Sequence, residues 1–403
     1  MYYEIFYLLH NFFKKIRFPS IVLAIMMSFS ILMGTMTVSR IRSVTYNYNV
    51  IKNTSPQLFL AEVFLSSDDY KSPGISEQKT KKLIDSLESL PAVNYAYTIC
   101  IANPVSFNGK GTSIVLIDPH MLTDFPALEN MGLDYSACEN GCILAGNAFD
   151  SVTDDTIELE FYNPDNHTES FTVCGHMAYP AKMINLSHSK TASTTADDIL
   201  IDTNAVIMQA TDKVMNRLSQ ISQITFENNC IFSLDSNASE EEIERIMEFT
   251  DNYGKAVQFS VIEQNTRHDL RTRMKELLPR PMFLLLASII AYLSMTILLF
   301  KRKEKELSIC YLCGFGTAKC AVLSVAAAVV ISAVPALANM IFILVFYCLS
   351  RKGMISSEGF YISGSSLLPV ALYFVLTVIV SAVAVVISMR HKTPASYIRS
   401  VSE

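Results

Sequence analysis

Cysteines are the side chains of this 403-residue chain that could most readily do chemistry, and there are nine of them. Five fall in one long stretch: Cys100, Cys138, Cys142, Cys174 and Cys230. Thiols outside a cell are commonly oxidised, and Gly141 supplies a turn between Cys138 and Cys142, so we predict a disulfide between these two. The odd count leaves at least one of the five thiols without an internal partner.

Other groupings of reactive side chains are too small for a catalytic or metal site. Cys174 and His176 offer two ligands where a structural zinc takes four. Cys310 and Cys313 have the spacing of a redox pair, but they lie on the apolar face of a predicted helix, where we expect packing. No GxxxxGK[ST], HExxH, GxSxG or GxGxxG motif occurs. We therefore predict no catalytic residue, no metal or cofactor site, and no ATP hydrolysis by this chain itself.

A charged and then apolar segment carries the strongest functional signal. It runs Lys301-Arg-Lys-Glu-Lys-Glu-Leu-Ser-Ile-Cys-Tyr-Leu-Cys-Gly-Phe-Gly316. Because Leu307, Ile309 and Leu312 have helical spacing and glycines end the segment, we predict a short amphipathic helix at the membrane surface. Such a helix fits a groove on a partner protein through its apolar anchors. The alternative is a plain basic loop, which would not need these three apolar residues.

Four apolar windows are each long enough to cross a membrane, since a spanning helix needs about 20 residues. Helices at these windows would position the charged segment at the membrane surface. They cover residues 18–39, 281–300, 321–349 and 367–389, and none contains a charged residue. The first window could instead be a cleaved signal peptide. Its apolar stretch is longer than the apolar core of a typical signal peptide and no small-x-small cleavage site stands out after Gly34, so we expect an uncleaved anchor.

The distribution of lysine and arginine gives the orientation of these helices. Basic residues are concentrated before the first window, between the second and third, and after the fourth. We therefore expect three cytoplasmic parts, residues 1–17, 301–320 and 390–403. Residues 350–366 then form a short outer loop, and residues 40–280 form a large extracytoplasmic domain.

The expected outer domain is strongly acidic. Between Ser43 and Thr266 there are 12 Lys and Arg against 31 Asp and Glu, a net charge of −19, whereas the whole chain has −6. This balance excludes a basic protein that binds nucleic acid, and it is typical of a membrane protein with one large water-facing domain.

Hydrophobic patterning predicts an α+β fold for this domain, attached to an α-helical membrane part of four helices. Two βαβ-type halves, residues 57–118 and 226–265, bracket a β-rich insert at 120–225. Ser239 and Glu242 have the spacing of a capping box, so we place a helix start there rather than an acid pair at the Glu240-Glu241-Glu242 run.

Five shorter segments of the domain also have predicted structures. Thr156–Phe161 and Ser170–Cys174 alternate and flank a turn, so we predict a hairpin. Val93–Ile101 and Ala256–Ile262 are predicted strands. Ser187–Asp198 is rich in small and polar residues and is predicted to be a loop.

Residues 267–280 are predicted to be a helical stalk that leads to the second membrane window. Leu270, Met274 and Leu277 share one face at helical spacing. Pro279-Arg280-Pro281 follows, and we interpret it as a hinge. The alternative is a plain linker.

The segment after the second window resembles a motif of MacB/FtsX-like ABC transporter permeases. In that family a basic run precedes Glu-(Ile/Leu)-Gly-(Ile/Leu), four further residues and a Gly. Glu306, Leu307, Ile309 and Gly314 match this motif, while Ser308 stands where the family has Gly.

Two other stretches and the topology support the resemblance. Residues 394–399, Pro-Ala-Ser-Tyr-Ile-Arg, are similar to the family's closing Pro-x-x-Ala-Leu-Arg. Residues 142–175 are similar to the family's insert, in which a hairpin precedes a Phe-x-Val-x-Gly strand. One helix before the outer domain and three after it match the family over the whole chain.

The resemblance implies a non-catalytic permease subunit in the cell membrane, working in a dimer with a second copy or a homologous permease. A separate ABC ATPase subunit would bind ATP and contact the coupling residues, which are Lys305, Glu306, Leu307, Ile309, Leu312 and Gly314. Closure of the ATPase would move the membrane helices within the lipid and swing the outer domains through the stalk, exporting or extracting a hydrophobic or peptide substrate. Two alternatives remain: an FtsX-type regulator of a cell-wall hydrolase, and a membrane receptor without an ATPase.

Overall fold

The computed structural model describes residues 17–65, 74–135, 140–162, 167–177, 181–186, 193–302, 309, 317–351 and 364–390. The chain divides into two compact units. The membrane unit comprises Met1–Arg42, Arg273–Ser350 and Gly359–Glu403, and the soluble unit comprises Ser43–Thr272 and Arg351–Glu358.

The secondary structure is α-helical in the membrane unit and mixed in the soluble unit. The helices are α1 (Arg17–Ile51), α2 (Ile75–Glu88), α3 (His120–Asp124), α4 (Pro126–Asn130), α5 (Ala196–Ile199), α6 (Asp212–Ile221), α7 (Glu240–Asp251), α8 (Phe259–Leu277), α9 (Pro279–Arg302), α10 (Thr317–Arg351) and α11 (Leu368–Arg390). The strands are β1 (Leu58–Glu62), β2 (Val93–Tyr97), β3 (Cys100–Phe107), β4 (Lys110–Ile117), β5 (Cys142–Ala145), β6 (Thr156–Phe161), β7 (His167–His176), β8 (Lys182–Ile184), β9 (Leu200–Asp202), β10 (Ala205–Gln209), β11 (Gln223–Phe226), β12 (Asn229–Leu234) and β13 (Ala256–Gln258).

Four helices are long and apolar enough to cross a membrane, as predicted: Ile21–Ile51, Phe259–Leu298, Ser324–Ser350 and Leu368–Ile387. The chain is therefore a membrane protein with a β-rich soluble domain. The first two of these helices have 31 and 40 residues. About 20 residues span the hydrocarbon core, so both must extend beyond it.

A four-stranded antiparallel sheet in the order β13-β1-β12-β2 joins the two ends of the soluble unit. Each half contributes a strand, a helix and a strand, so the two predicted βαβ-type halves form one split βαβ sheet. All five residues of β1 are buried, because its alternate side chains enter two different cores. Leu58 and Leu60 belong to the central core, while Phe59 and Ala61 face the core under α2 and α7.

Local sequence signals explain how the second half closes onto the sheet. The Ser239–Glu242 capping box is formed in both directions, which confirms the predicted start of α7. Gly254 follows α7 and lies against the backbone of β1, where a Cβ atom would come within 1.5 Å of the Glu62 carbonyl oxygen. Only glycine fits this close approach of two chain segments.

The insert forms a seven-stranded mixed sheet in the order β11-β3-β4-β10-β5-β7-β6. Because β6 also pairs with β3 at Val105 and Ser106, six of these strands close into a barrel. Its interior holds Phe161 and Phe171 together with Leu218 of α6. The predicted hairpin is confirmed, since β6 and β7 pair antiparallel from Thr156 to Phe161.

Three predictions about elements of the soluble unit are wrong. The chain leaves the four-stranded sheet after Tyr97 and enters the insert at Cys100, so β3 and β4 do not belong to the predicted half at 57–118. The predicted strand Ala256–Ile262 ends at Gln258, and α8 begins at the next residue. The predicted loop Ser187–Asp198 contains the start of α5, while residues 187–192 lie outside the described residues.

The predicted Cys138–Cys142 disulfide is also wrong. Cys142 is a free thiol, whereas Cys174 is disulfide-bonded. The physical reason is that Cys142 begins β5 with its side chain fully buried in the interior of the barrel. Cys138 lies outside the described residues.

Candidate functional site: the stalk junction

Three segments of the soluble unit meet at a place that we call the stalk junction. They are the end of α1 (Asn47 and Tyr48), the first half of α8 (Glu263, Asn265 and Thr266), and residues 194–198 at the start of α5. Both α1 and α8 lead by unbroken helix towards the membrane unit, whereas α5 belongs to the insert. The junction therefore ties the insert to the two helices whose residues continue into the membrane unit.

Thr266 is the centre of the contact between α8 and α5. Its hydroxyl accepts a hydrogen bond of 2.8 Å from the backbone N–H of Ala196 and donates one of 2.7 Å to the Ile262 carbonyl. Next to Thr266 on α8, the Asn265 amide donates to the Thr194 carbonyl at 3.1 Å. Thr266 and Ala196 are both fully buried, so neither could exchange this bond for one to water.

Two side chains of α1 complete the junction. The buried Asn47 amide donates to Asp197 Oδ1 at 2.8 Å, which links α1 to α5. The Tyr48 hydroxyl donates to Glu263 Oε1 at 3.1 Å, which links α1 directly to α8. Hydrogen bonds to a carboxylate are stronger than those between neutral groups. The Tyr48 hydroxyl thereby stabilises the negative charge of Glu263, which α8 places beside α1.

The short helix α5 exists because its own sequence caps it. Thr195 accepts from the backbone of Asp198, and the Asp198 carboxylate accepts from the Thr195 N–H at 2.7 Å. Ala196 and Ile199 are buried on the side that faces the junction. This helix was not predicted, although the Thr-x-x-Asp spacing is a capping-box signal that indicates a helix start.

An apolar layer supports these polar contacts. Val50 and Ile51 at the end of α1 and Phe259 and Ile262 at the start of α8 are all buried in the central core. The Phe259 ring meets the Phe125 ring edge-on, with centroids 5.2 Å apart. The junction thus combines a packed core with directional hydrogen bonds, an arrangement that holds segments in a fixed register.

The predicted hinge residues lie just after α8, inside the membrane unit. Only Leu278 separates α8 from α9, and its N–H still donates to the Met274 carbonyl at 3.1 Å. Pro279 and Pro281 occupy the first and third positions of α9, where neither supplies an N–H to the preceding turn. Pro281 is buried, while Arg280 is exposed. The helix continues through the prolines with fewer backbone hydrogen bonds, and hinge motion stays a prediction.

Of the predicted coupling residues, the structure places Ile309, whose side chain is 52% exposed. Lys305, Glu306, Leu307, Leu312 and Gly314 lie outside the described residues.

The interior of the membrane unit holds two tyrosines that sequence analysis did not single out. The Tyr373 hydroxyl of α11 donates to Ser288 Oγ of α9 at 2.8 Å, and Ser381 Oγ of α11 lies 2.7 Å from the Tyr292 hydroxyl of α9. Both tyrosines are buried. Hydroxyl pairs of this kind join neighbouring helices inside a membrane, so α9 and α11 are cross-linked at two levels.

Comparisons with known proteins give a weak likeness only. No protein family and no curated protein matches the sequence. Among solved structures, the chain is similar to the periplasmic region of MacB from Actinobacillus actinomycetemcomitans, with 9% identity and a TM-score of 0.32 over 54% of this chain and 95% of that one.

A second similarity is to a heavy metal efflux pump, with 11% identity and a TM-score of 0.16 over 81% of this chain. The chain spans 31% of the length of that pump. Both TM-scores are too low to carry an argument about function.

The described residues offer no metal site. Among them, no group of three or more His, Cys, Asp or Glu side chains could hold an ion.

Proposed function

We propose that this chain is the permease subunit of an ABC transporter. A separate ATPase subunit would hydrolyse ATP and bind the segment from Lys305 to Gly314. The chain would lie in the cell membrane with both termini in the cytoplasm and residues 40–280 outside. It would work in a dimer, with a second copy or a homologous permease, to export or extract a hydrophobic or peptide substrate.

The stalk junction is the observation that carries this proposal. Two helices long enough to cross a membrane, α1 and α8–α9, both contact the insert and hold it by three hydrogen bonds, and a fourth joins α1 to α8. A protein that transmits movement mechanically needs such firm attachment, because loosely attached helices could move without moving the outer domain.

Two features of the sequence support the same proposal. The basic run followed by Glu306, Leu307, Ile309 and Gly314 resembles the permease motif that contacts an ATPase. The four membrane windows contain no charged residue, whereas intramembrane charges usually mark an ion or proton path. Transmission of movement fits this composition better than ion-coupled transport does.

Purification of the tagged full chain from its native membrane in a mild detergent tests the proposal. Co-eluting proteins are identified, and ATP hydrolysis is measured. Two variants, Glu306→Ala and Gly314→Leu, are expected to lose the ATPase, because one removes the charged contact and the other obstructs the end of the coupling helix. Ser308→Gly restores the residue of the resembled motif, and this control is expected to retain the ATPase.

Three outcomes separate the alternatives. An ATPase held by the wild type and by Ser308→Gly, but lost from the other two variants, supports the permease. Absence of any ATPase, with all variants alike, refutes the permease and leaves the receptor. An ATPase that co-elutes with a cell-wall hydrolase, in a chain that moves no substrate, favours the FtsX-type regulator.

A further inference from the structure

A buried carboxylate joins the four-stranded sheet to the insert, far along the chain from the stalk junction. Asp124 is the last residue of α3, and its carboxylate accepts hydrogen bonds from two tyrosines of β2. The Tyr95 hydroxyl donates to Oδ1 at 2.5 Å, and the Tyr97 hydroxyl donates to Oδ2 at 2.7 Å. Because Tyr95 and Tyr97 are two residues apart on one strand, both point to the same face of the sheet.

Asp124 is 4% exposed, yet the structure gives it no cation partner among the described residues. An unpaired buried carboxylate is costly, and such a group lowers the cost by binding a proton. Burial raises the pKa of Asp124 above its ordinary value, although the hydrogen bonds from the two tyrosines and the positive charge of His120 act in the opposite direction.

The surrounding groups can accommodate that proton. Tyr95 also forms a hydrogen bond with Ser233 of β12, so its hydroxyl belongs to a chain from β12 through β2 to α3. A neutral Asp124 can donate to the Tyr95 oxygen while it still accepts from Tyr97. Burial raises the pKa of Tyr95 to about 12, so both tyrosines stay protonated at any physiological pH.

We propose that Asp124, Tyr95 and Tyr97 form a proton-linked latch, in which α3 docks on the four-stranded sheet most tightly when Asp124 carries a proton. The latch goes beyond the proposed transport function and does not depend on it. It makes the contact between the sheet and the insert respond to the acidity of the compartment that the soluble unit faces.

The sign follows from linkage between docking and protonation. In the docked state Asp124 binds a proton more tightly than it does when α3 is released into water, where its affinity is ordinary. The docked state is therefore favoured as the pH falls, and this advantage is lost as the pH rises through the raised pKa of the docked carboxyl. One linked proton changes the opening constant by at most about tenfold per pH unit.

Two other ionisable groups, His120 and Asp118, lie near Asp124, and their effects on the pH dependence must be distinguished from its own. His120 stacks on the Tyr95 ring at 4.1 Å, and its Nδ1 lies 2.7 Å from Asp118 Oδ1. Because the imidazole lies beside the latch, the experiment must assign the linked proton to Asp124 or to His120. The experiment therefore needs variants of both Asp124 and His120.

Native-state hydrogen exchange of the full chain in detergent measures the latch directly. The Phe125 N–H donates to the Met121 carbonyl at 2.9 Å, so its exchange reports opening of α3. The protection factor of this amide is measured from about pH 5 to about pH 8, against the intrinsic rate at each pH. We expect the wild-type protection factor to rise as the pH falls, and Asp124→Asn, a neutral carboxyl mimic, to abolish the slope.

Three further variants serve as controls. Glu129→Gln neutralises an exposed carboxylate on the adjacent helix and should keep the wild-type slope. His120→Gln should also keep it. Tyr97→Phe removes one donor to the ionised carboxylate, so it should move the pH profile of the Phe125 protection factor to higher pH. This shift tests the latch even if Asp124→Asn does not fold.

Three results would overturn the latch. The first is a wild-type protection factor that does not change with pH. The second is a slope that survives in Asp124→Asn and disappears in His120→Gln, since this would assign the proton to the imidazole. The third is a Tyr97→Phe profile that coincides with the wild-type profile.

Discussion

Replacement of Thr266 by valine tests the stalk junction with little change in shape. Valine fills nearly the same volume as threonine, but it cannot accept the hydrogen bond from the Ala196 N–H. That N–H belongs to a fully buried residue in the first turn of α5, where no intrahelical carbonyl can replace the lost acceptor. Leaving a buried donor unsatisfied costs about 1–3 kcal/mol. The hydroxyl's other bond, to the Ile262 carbonyl, matters less because that carbonyl already accepts within the helix.

A second buried threonine provides a matched control. Thr80 on α2 is also fully buried, and its hydroxyl donates to the Ser76 carbonyl four residues earlier, just as Thr266 donates to Ile262. No hydrogen bond accepted by Thr80 is found among the described residues. The difference between Thr266→Val and Thr80→Val therefore isolates the bond to Ala196.

Hydrogen exchange of the amides in α5, measured on the full chain in detergent, provides the assay. A loss of 1–3 kcal/mol corresponds to about fivefold to 150-fold faster exchange through local opening. Thr80→Val should leave α5 exchange unchanged. Unchanged α5 exchange in Thr266→Val, or equal acceleration of α5 exchange in both variants, would refute the role of the bond to Ala196.

Three further predictions follow from other parts of the molecule. Tyr373→Phe removes an interhelical hydrogen bond and should lower the stability of the membrane unit by about 0.6 kcal/mol in a detergent unfolding titration; no change would show that Ser288 finds another partner. Cys142 and Cys230 should resist alkylation at neutral pH until the chain unfolds, because burial raises the pKa of each thiol to about 12, and rapid native labelling would contradict their burial. Replacement of Pro279 and Pro281 by alanine restores two N–H donors and should stiffen the helix and reduce substrate transport; undiminished transport would rule out a hinge.

The membrane helices and the cap of α7 were predictable because their signals are local. An uncharged run such as residues 367–389 leaves one viable structure in lipid, and the Ser239–Glu242 spacing identifies a helix start wherever it occurs. Strands β6 and β7 were equally clear, since each alternates and a turn-rich segment separates them.

The errors arose where tertiary context overrides a local pattern. Between Tyr97 and Cys100 the chain changes sheets without a glycine or proline, so the apolar run Val93–Ile101 looks like one strand. The run that begins at Ala256 is too short to distinguish a strand from the start of a helix by periodicity. The stalk junction was out of reach for the same reason: Asn47 and Thr266 are unremarkable until folding brings them to one place.

The interruption of the four-stranded sheet has a consequence for how the chain folds. Strands β2 and β12 pair although the whole insert lies between them, and pairing at such sequence separation is slow because a long loop must close first. Folding of the insert closes this long loop, since β11 pairs with β3 and brings Phe226 opposite Cys100. Once the barrel has formed, only short connections separate Tyr97 from Cys100 and Phe226 from Asn229. The insert thus acts as a folded bridge, and its own assembly sets the order in which the rest of the soluble unit can be completed.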